Sequence, residues 1–103
     1  MIRLLILYGH PKDPAAFLKY YNEVHLPIAS RMKGLKKWTI GQAVGTPDNG
    51  PTPCFYIAEL FADSRAALEA VLESPEGRAA VADVPNFATG GVTFLYTEYQ
   101  DVI

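Results

Sequence analysis

Apolar side chains recur along the chain in four short runs that are separated by turn-forming residues. Such runs, rich in β-branched, aromatic and aliphatic residues and bounded by Gly, Pro, Asn or Asp, are typical of β-strands. The first run ends at Gly9-His10-Pro11, and the last begins after Gly90-Gly91. The pattern therefore predicts strands over residues 2–8, 35–44, 54–61 and 92–99.

Two of the intervening segments have helical spacing instead. Asp13-Pro14 supplies an N-cap and a first-turn proline, and Gly34 follows a basic last turn, so one amphipathic helix of about five turns is predicted between them. Its apolar arc contains Phe17, Leu18, Tyr20, Tyr21, Val24, His25, Ile28 and Met32. A second helix is predicted over residues 64–73 and a shorter one over residues 74–84, each beginning at a serine cap.

Pro27 lies inside the first predicted helix. A proline there removes one backbone N–H and clashes with the carbonyl of Glu23, so a kink or local opening is expected over residues 23–27. The expected disturbance falls beside His25.

The order of these elements is β-α-β-β-α-β, with the second helix divided in two. This order predicts one α+β, ferredoxin-like domain over residues 1–103, in which both helices cover one face of an antiparallel four-stranded sheet. Both faces of the strands look apolar, although two helices can cover only one of them. We therefore expect a homodimer in which the uncovered sheet faces of two protomers close into a shared barrel.

Composition narrows the class of function. Half of the 103 residues are hydrophobic and the net charge is −2, so no basic field is available for nucleic acid or an anionic membrane. No apolar run approaches the roughly 20 residues of a membrane span, and the run at residues 1–8 is too short for a signal peptide. The single cysteine, Cys54, fits a reducing compartment, so the expected location is cytoplasmic.

His25 is the first candidate for chemistry, because it lies on the apolar face of a helix one turn after Tyr21. An imidazole in such a site can transfer protons near neutral pH, with Tyr21 orienting it. The alternative is a core histidine that is satisfied by a tyrosine hydroxyl or by a backbone carbonyl freed at Pro27. With two histidines and no carboxylate at ligand spacing, no metal site is expected.

Aromatic residues form the second group of candidates. Aimed into a common space, they would line an apolar slot with hydrogen-bonding groups, suited to an aromatic or lactone-like compound; the alternative is that they fill the core. The predicted ligand-binding residues are Tyr8, Trp38, Tyr56, Phe87 and Tyr96, with His10 at the mouth of the slot. The chain has no phosphate-binding loop, nucleophile elbow or dinucleotide fingerprint, so no cofactor is expected.

Several segments together resemble the EthD family of dimeric α/β-barrel proteins. The most specific piece is a Tyr-x-x-x-His-x-Pro arrangement formed by Tyr21, His25 and Pro27. The resembling segments are residues 13–17 (DPAAF), 20–29 (YYNEVHLPIA), 74–77 (SPEG) and 82–93 (ADVPNFATGGVT).

The resemblance implies a dimeric barrel and a role in small-molecule metabolism. EthD itself is associated with bacterial degradation of ethyl tert-butyl ether beside a haem monooxygenase system. Related barrels include methylmuconolactone isomerases, polyketide cyclases and quinol monooxygenases. In the methylmuconolactone isomerases a histidine on the first helix lies at the substrate, and His25 is similar in position.

Three hypotheses for the function follow from these observations. The first is cofactor-free acid/base chemistry, such as isomerisation or cyclisation, on an apolar compound, with His25 as the proton-transfer residue and Tyr21 orienting it. The second is a ligand-binding protein that uses the same pocket without catalysis. The third is an accessory partner of an oxygenase, for which an interior without room for a ligand is expected.

Overall fold

The fold is built around a single four-stranded sheet. The computed structural model describes residues 1–103. The strands are β1 (Ile2–Tyr8), β2 (Lys37–Gln42), β3 (Tyr56–Ala62) and β4 (Val92–Glu98). They lie in the order β2-β3-β1-β4, and every neighbouring pair is antiparallel. Each predicted strand is therefore present, with β2 two residues shorter at each end than its sequence pattern indicates.

Helices follow β1 and β3, as the element order predicts. The first helical segment consists of α1 (Pro14–Tyr20), a π-helical turn (Tyr21–His25) and α2 (Leu26–Ala29) in direct succession. The second consists of α3 (Arg65–Glu73), α4 (Pro75–Asp83) and a 3₁₀ turn (Val84–Asn86). This arrangement is the α+β, ferredoxin-like fold.

Side-chain caps begin the longer helices where the sequence predicts them. The Asp13 carboxylate accepts a hydrogen bond from the Ala16 backbone N–H, and the Ser64 hydroxyl accepts one from Ala67. Ser74 ends α3 and begins α4, and its hydroxyl oxygen accepts a hydrogen bond from the Gly77 N–H. Because each cap satisfies an otherwise unpaired donor, the helix starts are fixed locally.

The expected opening near Pro27 takes the form of the π-helical turn. Because Pro27 has no N–H, the ladder there loses a donor, and the Leu26 N–H bonds to the Tyr21 carbonyl five residues back. The turn inserts one residue relative to α-helical spacing, so Val24 is exposed and Leu26 packs on the core. The predicted apolar arc was therefore wrong to include Val24 and to leave out Leu26, because it assumed uninterrupted α-helical spacing.

The first helix also ends earlier than predicted. It stops at Ala29, where the Ser30 hydroxyl donates to the Pro27 carbonyl and the Met32 N–H bonds only three residues back, to Ala29. Gly34 takes a positive φ of 97° in the turn that leads to β2, a conformation that glycine adopts without steric cost.

The helices pack on the sheet face formed by the even-numbered residues of β1 and β3. Leu4, Ile6 and Tyr8 of β1 lie opposite Leu60, Ala58 and Tyr56 of β3 in the sheet, and all six are buried. Tyr21 from the π-helical turn and Leu68 from α3 join them in the core. These core residues therefore form the floor of any cavity between the sheet and the helices.

The opposite, uncovered sheet face is less apolar than the strand pattern predicts. Leu5, Leu7 and Ile57 lie on it, but Arg3 and Glu59 form an ion pair among them at 3.2 Å. The prediction considered the alternation of residues in each strand separately, and it did not take these two charges into account. The uncovered face thus combines an apolar surface with an internal, half-buried ion pair.

Candidate functional site

A cavity of about 260 Å³ lies between the sheet and the helices. Fifteen of its 16 lining residues are hydrophobic, and His25 is the exception. The exposed residues Val81, Phe94 and Tyr96 belong to the lining, so the cavity opens to solvent between α4 and β4. The lining residues are Leu4, Ile6, Tyr8, Tyr21, His25, Ala29, Met32, Trp38, Ala58, Leu60, Leu72, Ala80, Val81, Val84, Phe94 and Tyr96.

His25, the last residue of the π-helical turn, borders this cavity. The imidazole is 5% exposed and lies between two aromatic rings, with centroid distances of 5.2 Å to Tyr21 and 4.6 Å to Phe87. Tyr21, His25 and Ala29, spaced four residues apart, all line the cavity. Single π-helical turns inside α-helices are frequent at functional sites.

His25 is paired with a buried carboxylate. Its Nδ1 lies 2.9 Å from Oδ2 of Asp83, the last residue of α4, which is itself 7% exposed. Two further donors reach the other oxygen of Asp83: the Tyr20 hydroxyl at 2.6 Å and the Asn86 amide at 3.1 Å. The carboxylate is thus held by donors from three elements of the chain.

These contacts determine the charge of Asp83. Burial alone would raise the pKa of its carboxyl group, but the hydrogen bonds from Tyr20, Asn86 and His25 outweigh burial and lower that pKa. Asp83 is therefore an ionised hydrogen-bond acceptor at neutral pH.

An ionised carboxylate can only accept hydrogen bonds, so Nδ1 of His25 must carry the proton that the pair shares. In a neutral imidazole the other nitrogen, Nε2, then has a free lone pair. Nε2 has no hydrogen-bond partner in the chain, and the imidazole borders the cavity. The arrangement offers one base, oriented by a carboxylate, to a compound in an otherwise apolar space.

Two tyrosines lie deep in the same cavity. Tyr8 and Tyr21 are each 1% exposed, and burial raises the pKa of both phenols well above its ordinary value, so both remain neutral. Their hydroxyl groups are near enough to influence each other's ionisation, but the Tyr8 hydroxyl has no hydrogen-bond partner of acceptable geometry. The Trp38 indole N–H is likewise buried and unpartnered.

Five of the predicted site residues meet in this cavity. These are His25, Tyr21, Tyr8, Trp38 and Tyr96. Tyr96 lies at the opening, where the Arg65 guanidinium stacks over its ring at 4.5 Å.

The other three predicted residues lie outside the cavity lining. Tyr56 and Phe87 pack behind it, each against the Tyr21 ring. His10 lies apart from the lining, and its Nε2–H donates to the Thr52 carbonyl at 2.7 Å. His10 therefore connects two loops, whereas Tyr56 and Phe87 support residues that do border the cavity.

Asp83 is the residue of this candidate site that the sequence did not indicate. It is 58 residues from His25, and nothing in the local pattern distinguishes it from the other acidic residues in the second half of the chain. The one available signal is its position between a short apolar helix and Val84-Pro85, where the helix was predicted to end. Only the packing of α4 against α2 brings it to the imidazole.

The structure contains neither a cluster of metal ligands nor a membrane-spanning helix. No group of three or more His, Cys, Asp or Glu side chains could hold a metal ion. None of the helices is both long and apolar enough to cross a membrane.

Fold and site together define a ferredoxin-like α+β protein with a histidine–carboxylate pair in an apolar cavity. The family profile of the EthD domain matches residues 10–91, and the chain belongs to the EthD family. It is 39% identical over 103 residues to an uncharacterized 11.0 kDa protein in the thcB-thcC intergenic region of Rhodococcus erythropolis, covering 100% of this chain and 99% of the relative.

Solved structures agree with this assignment. An ethyl tert-butyl ether d (ethd) family protein from Bacillus halodurans is 28% identical, with a TM-score of 0.89 over 97% of this chain and 99% of that one. A dimeric ferredoxin-like protein of unknown function from Thermobifida fusca, at 15% identity, has a TM-score of 0.71 over 95% of this chain and 90% of that one, and shows the shared fold.

Proposed function

We propose that the protein is a cofactor-free acid/base enzyme, which binds a small apolar compound in the cavity and moves a proton to and from it through His25. The observation that carries the proposal is the 2.9 Å contact between His25 Nδ1 and Asp83, made by an imidazole that borders an apolar cavity. Isomerisation and cyclisation are both reactions that one such proton transfer can start.

Proton transfer would proceed at the free nitrogen. Nε2 of His25 accepts a proton from a C–H bond of the bound compound, and the electron pair of that bond stays on the compound. The imidazolium that forms is stabilised by the Asp83 carboxylate across Nδ1–H. The imidazolium then returns a proton from Nε2 to the compound, at the same or another atom, which restores the neutral imidazole.

The size and polarity of the cavity limit the compound. A dry protein cavity of about 150 Å³ can hold benzene, so about 260 Å³ is enough for a substituted ring or two fused rings. No lysine or arginine lines the cavity to pair with an anionic group, and Asp83 carries a negative charge nearby. An uncharged, mainly apolar compound is therefore favoured.

Deuterium exchange tests this proposal without knowledge of the natural reaction. The protein would be incubated in D₂O with a panel of small C–H acids, namely a lactone, a cyclic ketone and an arylnitromethane, and exchange followed by ¹H NMR. We expect exchange of at least one compound to be faster than in buffer alone. Binding of the panel without faster exchange would contradict an acid/base function.

The same experiment distinguishes an acid/base enzyme from a protein that only binds ligands. A ligand-binding or accessory protein is the second candidate, favoured by the fact that 15 of the 16 lining residues are hydrophobic. Such a protein would bind the apolar compounds and leave their C–H bonds unexchanged.

We also propose that residues 1–103 act as one domain that forms a homodimer through the uncovered sheet face. Leu5, Leu7 and Ile57 are half-buried on that face, and burial of such side chains drives association. The Thermobifida fusca relative in fold is described as dimeric.

Sedimentation tests the dimer. We expect a particle of twice the 11.3 kDa chain mass, and we expect Leu7→Lys to reduce it to the mass of one chain because a charge would be buried in the interface. Val24→Lys, on the exposed side of the π-helical turn, is the matched control and should remain a dimer. A wild-type chain that sediments as a monomer at micromolar concentration would refute the assembly.

A further inference from the structure

We propose that the compound bound in the cavity carries an uncharged carbonyl group, whose oxygen accepts a hydrogen bond from the hydroxyl of Tyr8. The inference rests on the proposed function in that it takes the cavity to be a ligand site, and it adds the chemical class of the ligand and the residue that recognises it.

The Tyr8 hydroxyl is a buried donor without an acceptor. The side chain is 1% exposed and lines the cavity, and its oxygen has no hydrogen-bond partner in the chain. Buried polar groups are nearly always paired, because leaving one unpaired costs stability. A ligand with an acceptor atom at this position would complete the pair.

The group acts as a donor and not as a base. Burial raises the pKa of the Tyr8 phenol, and the negative charge of Asp83 raises it further. The phenol therefore keeps its proton, so its natural partner is an acceptor oxygen.

Tyr8 and the proposed base, His25, line the same cavity. The Tyr8 ring packs against Tyr21 at 5.8 Å and against Phe87 at 5.4 Å, and both of those rings contact His25. One small molecule in the cavity can therefore border the side chains of both Tyr8 and His25.

A carbonyl compound matches both groups in one reaction. Removal of a proton from the carbon next to a carbonyl moves the electron pair of the C–H bond onto the carbonyl oxygen and gives an enolate. Nε2 of His25 holds the proton, while a hydrogen bond from Tyr8 stabilises the charge that develops on oxygen. Return of the proton to carbon regenerates the ketone or gives its isomer, so no other reactant is needed.

Carboxylic acids fit less well. An ionised carboxylate would need a cation or several donors in the cavity, and its lining contains no lysine or arginine. Ketones, lactones and quinones carry the same acceptor oxygen without the charge.

A matched pair of ligands tests the role of Tyr8. 2-Indanone and indane share a ring system and differ by the carbonyl oxygen. Trp38 is the only tryptophan in the chain and lines the cavity, so its fluorescence, excited at the red edge of its absorption, reports binding of either one. We expect the wild-type protein to prefer the ketone by about 3- to 10-fold, the range of one neutral hydrogen bond.

Tyr8→Phe removes only the hydroxyl group. We expect this variant to lose the preference for 2-indanone while it binds indane as the wild type does. Tyr56→Phe is the matched control, since Tyr56 packs outside the cavity lining, and it should retain the preference. In the infrared spectrum, the carbonyl stretch of bound 2-indanone should lie at lower frequency with the wild type than with Tyr8→Phe.

Equal binding of the two ligands by the wild type, or an unchanged preference and carbonyl stretch in Tyr8→Phe, would overturn the inference. Its failure can be told apart from failure of the proposed function. A Tyr8-dependent preference without deuterium exchange supports the carbonyl site and rejects the acid/base activity. Exchange with no Tyr8-dependent preference does the reverse.

Discussion

The His25→Gln variant should catalyse deuterium exchange about 10²- to 10⁴-fold more slowly than the wild type, for any C–H acid whose exchange the wild type accelerates. This factor is the usual contribution of a positioned general base. Glutamine keeps an N–H that can donate to Asp83, so the buried carboxylate need not lose its third hydrogen bond. It has no basic nitrogen, so proton removal should fail while the ligand still binds. The rate comes from ¹H NMR in D₂O and the affinity from Trp38 fluorescence.

Asp83→Asn separates the base from the group that orients it. An amide can donate to Nδ1 of His25 and so place the imidazole proton on Nε2, which removes the lone pair from the cavity. We expect slower exchange together with a change of tautomer in the ¹⁵N NMR spectrum of the imidazole. Asn86→Ala, which removes one donor to Asp83 and keeps its carboxylate, is the milder control. If both His25→Gln and Asp83→Asn retain the wild-type rate, the site is not an acid/base centre.

Phe17→Ala should lower the free energy of unfolding by about 3–5 kcal/mol. Phe17 is 2% exposed, and its ring meets those of Tyr8, Tyr21, Phe55 and Phe87 at centroid distances between 5.1 and 5.7 Å. Removing the ring leaves a cavity among these aromatic neighbours and takes away their mutual contacts. Urea unfolding followed by circular dichroism measures the loss.

Val24→Ala is the matched change on the exposed side of the same helical segment. It should alter the free energy of unfolding by no more than about 0.5 kcal/mol, since an exposed side chain loses little on truncation. Comparable losses for Phe17→Ala and Val24→Ala would show that the aromatic cluster is not the main support of the first helix.

Local rules predicted much of the fold. The strands have apolar runs with turn residues at their limits, and the helix starts have Asp13, Ser64 and Ser74 as caps, so each element is specified by its own residues. The element order then leaves few ways to arrange the sheet. Charges on the uncovered face were missed because Arg3 and Glu59 compensate each other across two strands, which no single strand reveals.

The site was predictable only in part, for a related reason. His25 stands out as a histidine on an apolar helix face, and Tyr21 lies one turn before it. Asp83 acquires its role from tertiary packing alone, and so does the unpartnered state of the Tyr8 hydroxyl. His10 follows β1 in sequence, but its hydrogen bond to the Thr52 carbonyl draws it to a loop away from the cavity lining.

The π-helical turn has a consequence for how this site could arise or be lost. It contains one residue more than an α-helix would need to join α1 to α2, so a single-codon deletion within Tyr21–His25 could restore regular helix. The same deletion would change the angle between Tyr21 and His25 about the helix axis by about 100°, and so would disturb the contacts of the imidazole with Tyr21 and Asp83. Chains of this fold with and without such a site can therefore differ by one inserted residue, and an alignment column that is filled or empty between Tyr21 and His25 would separate them.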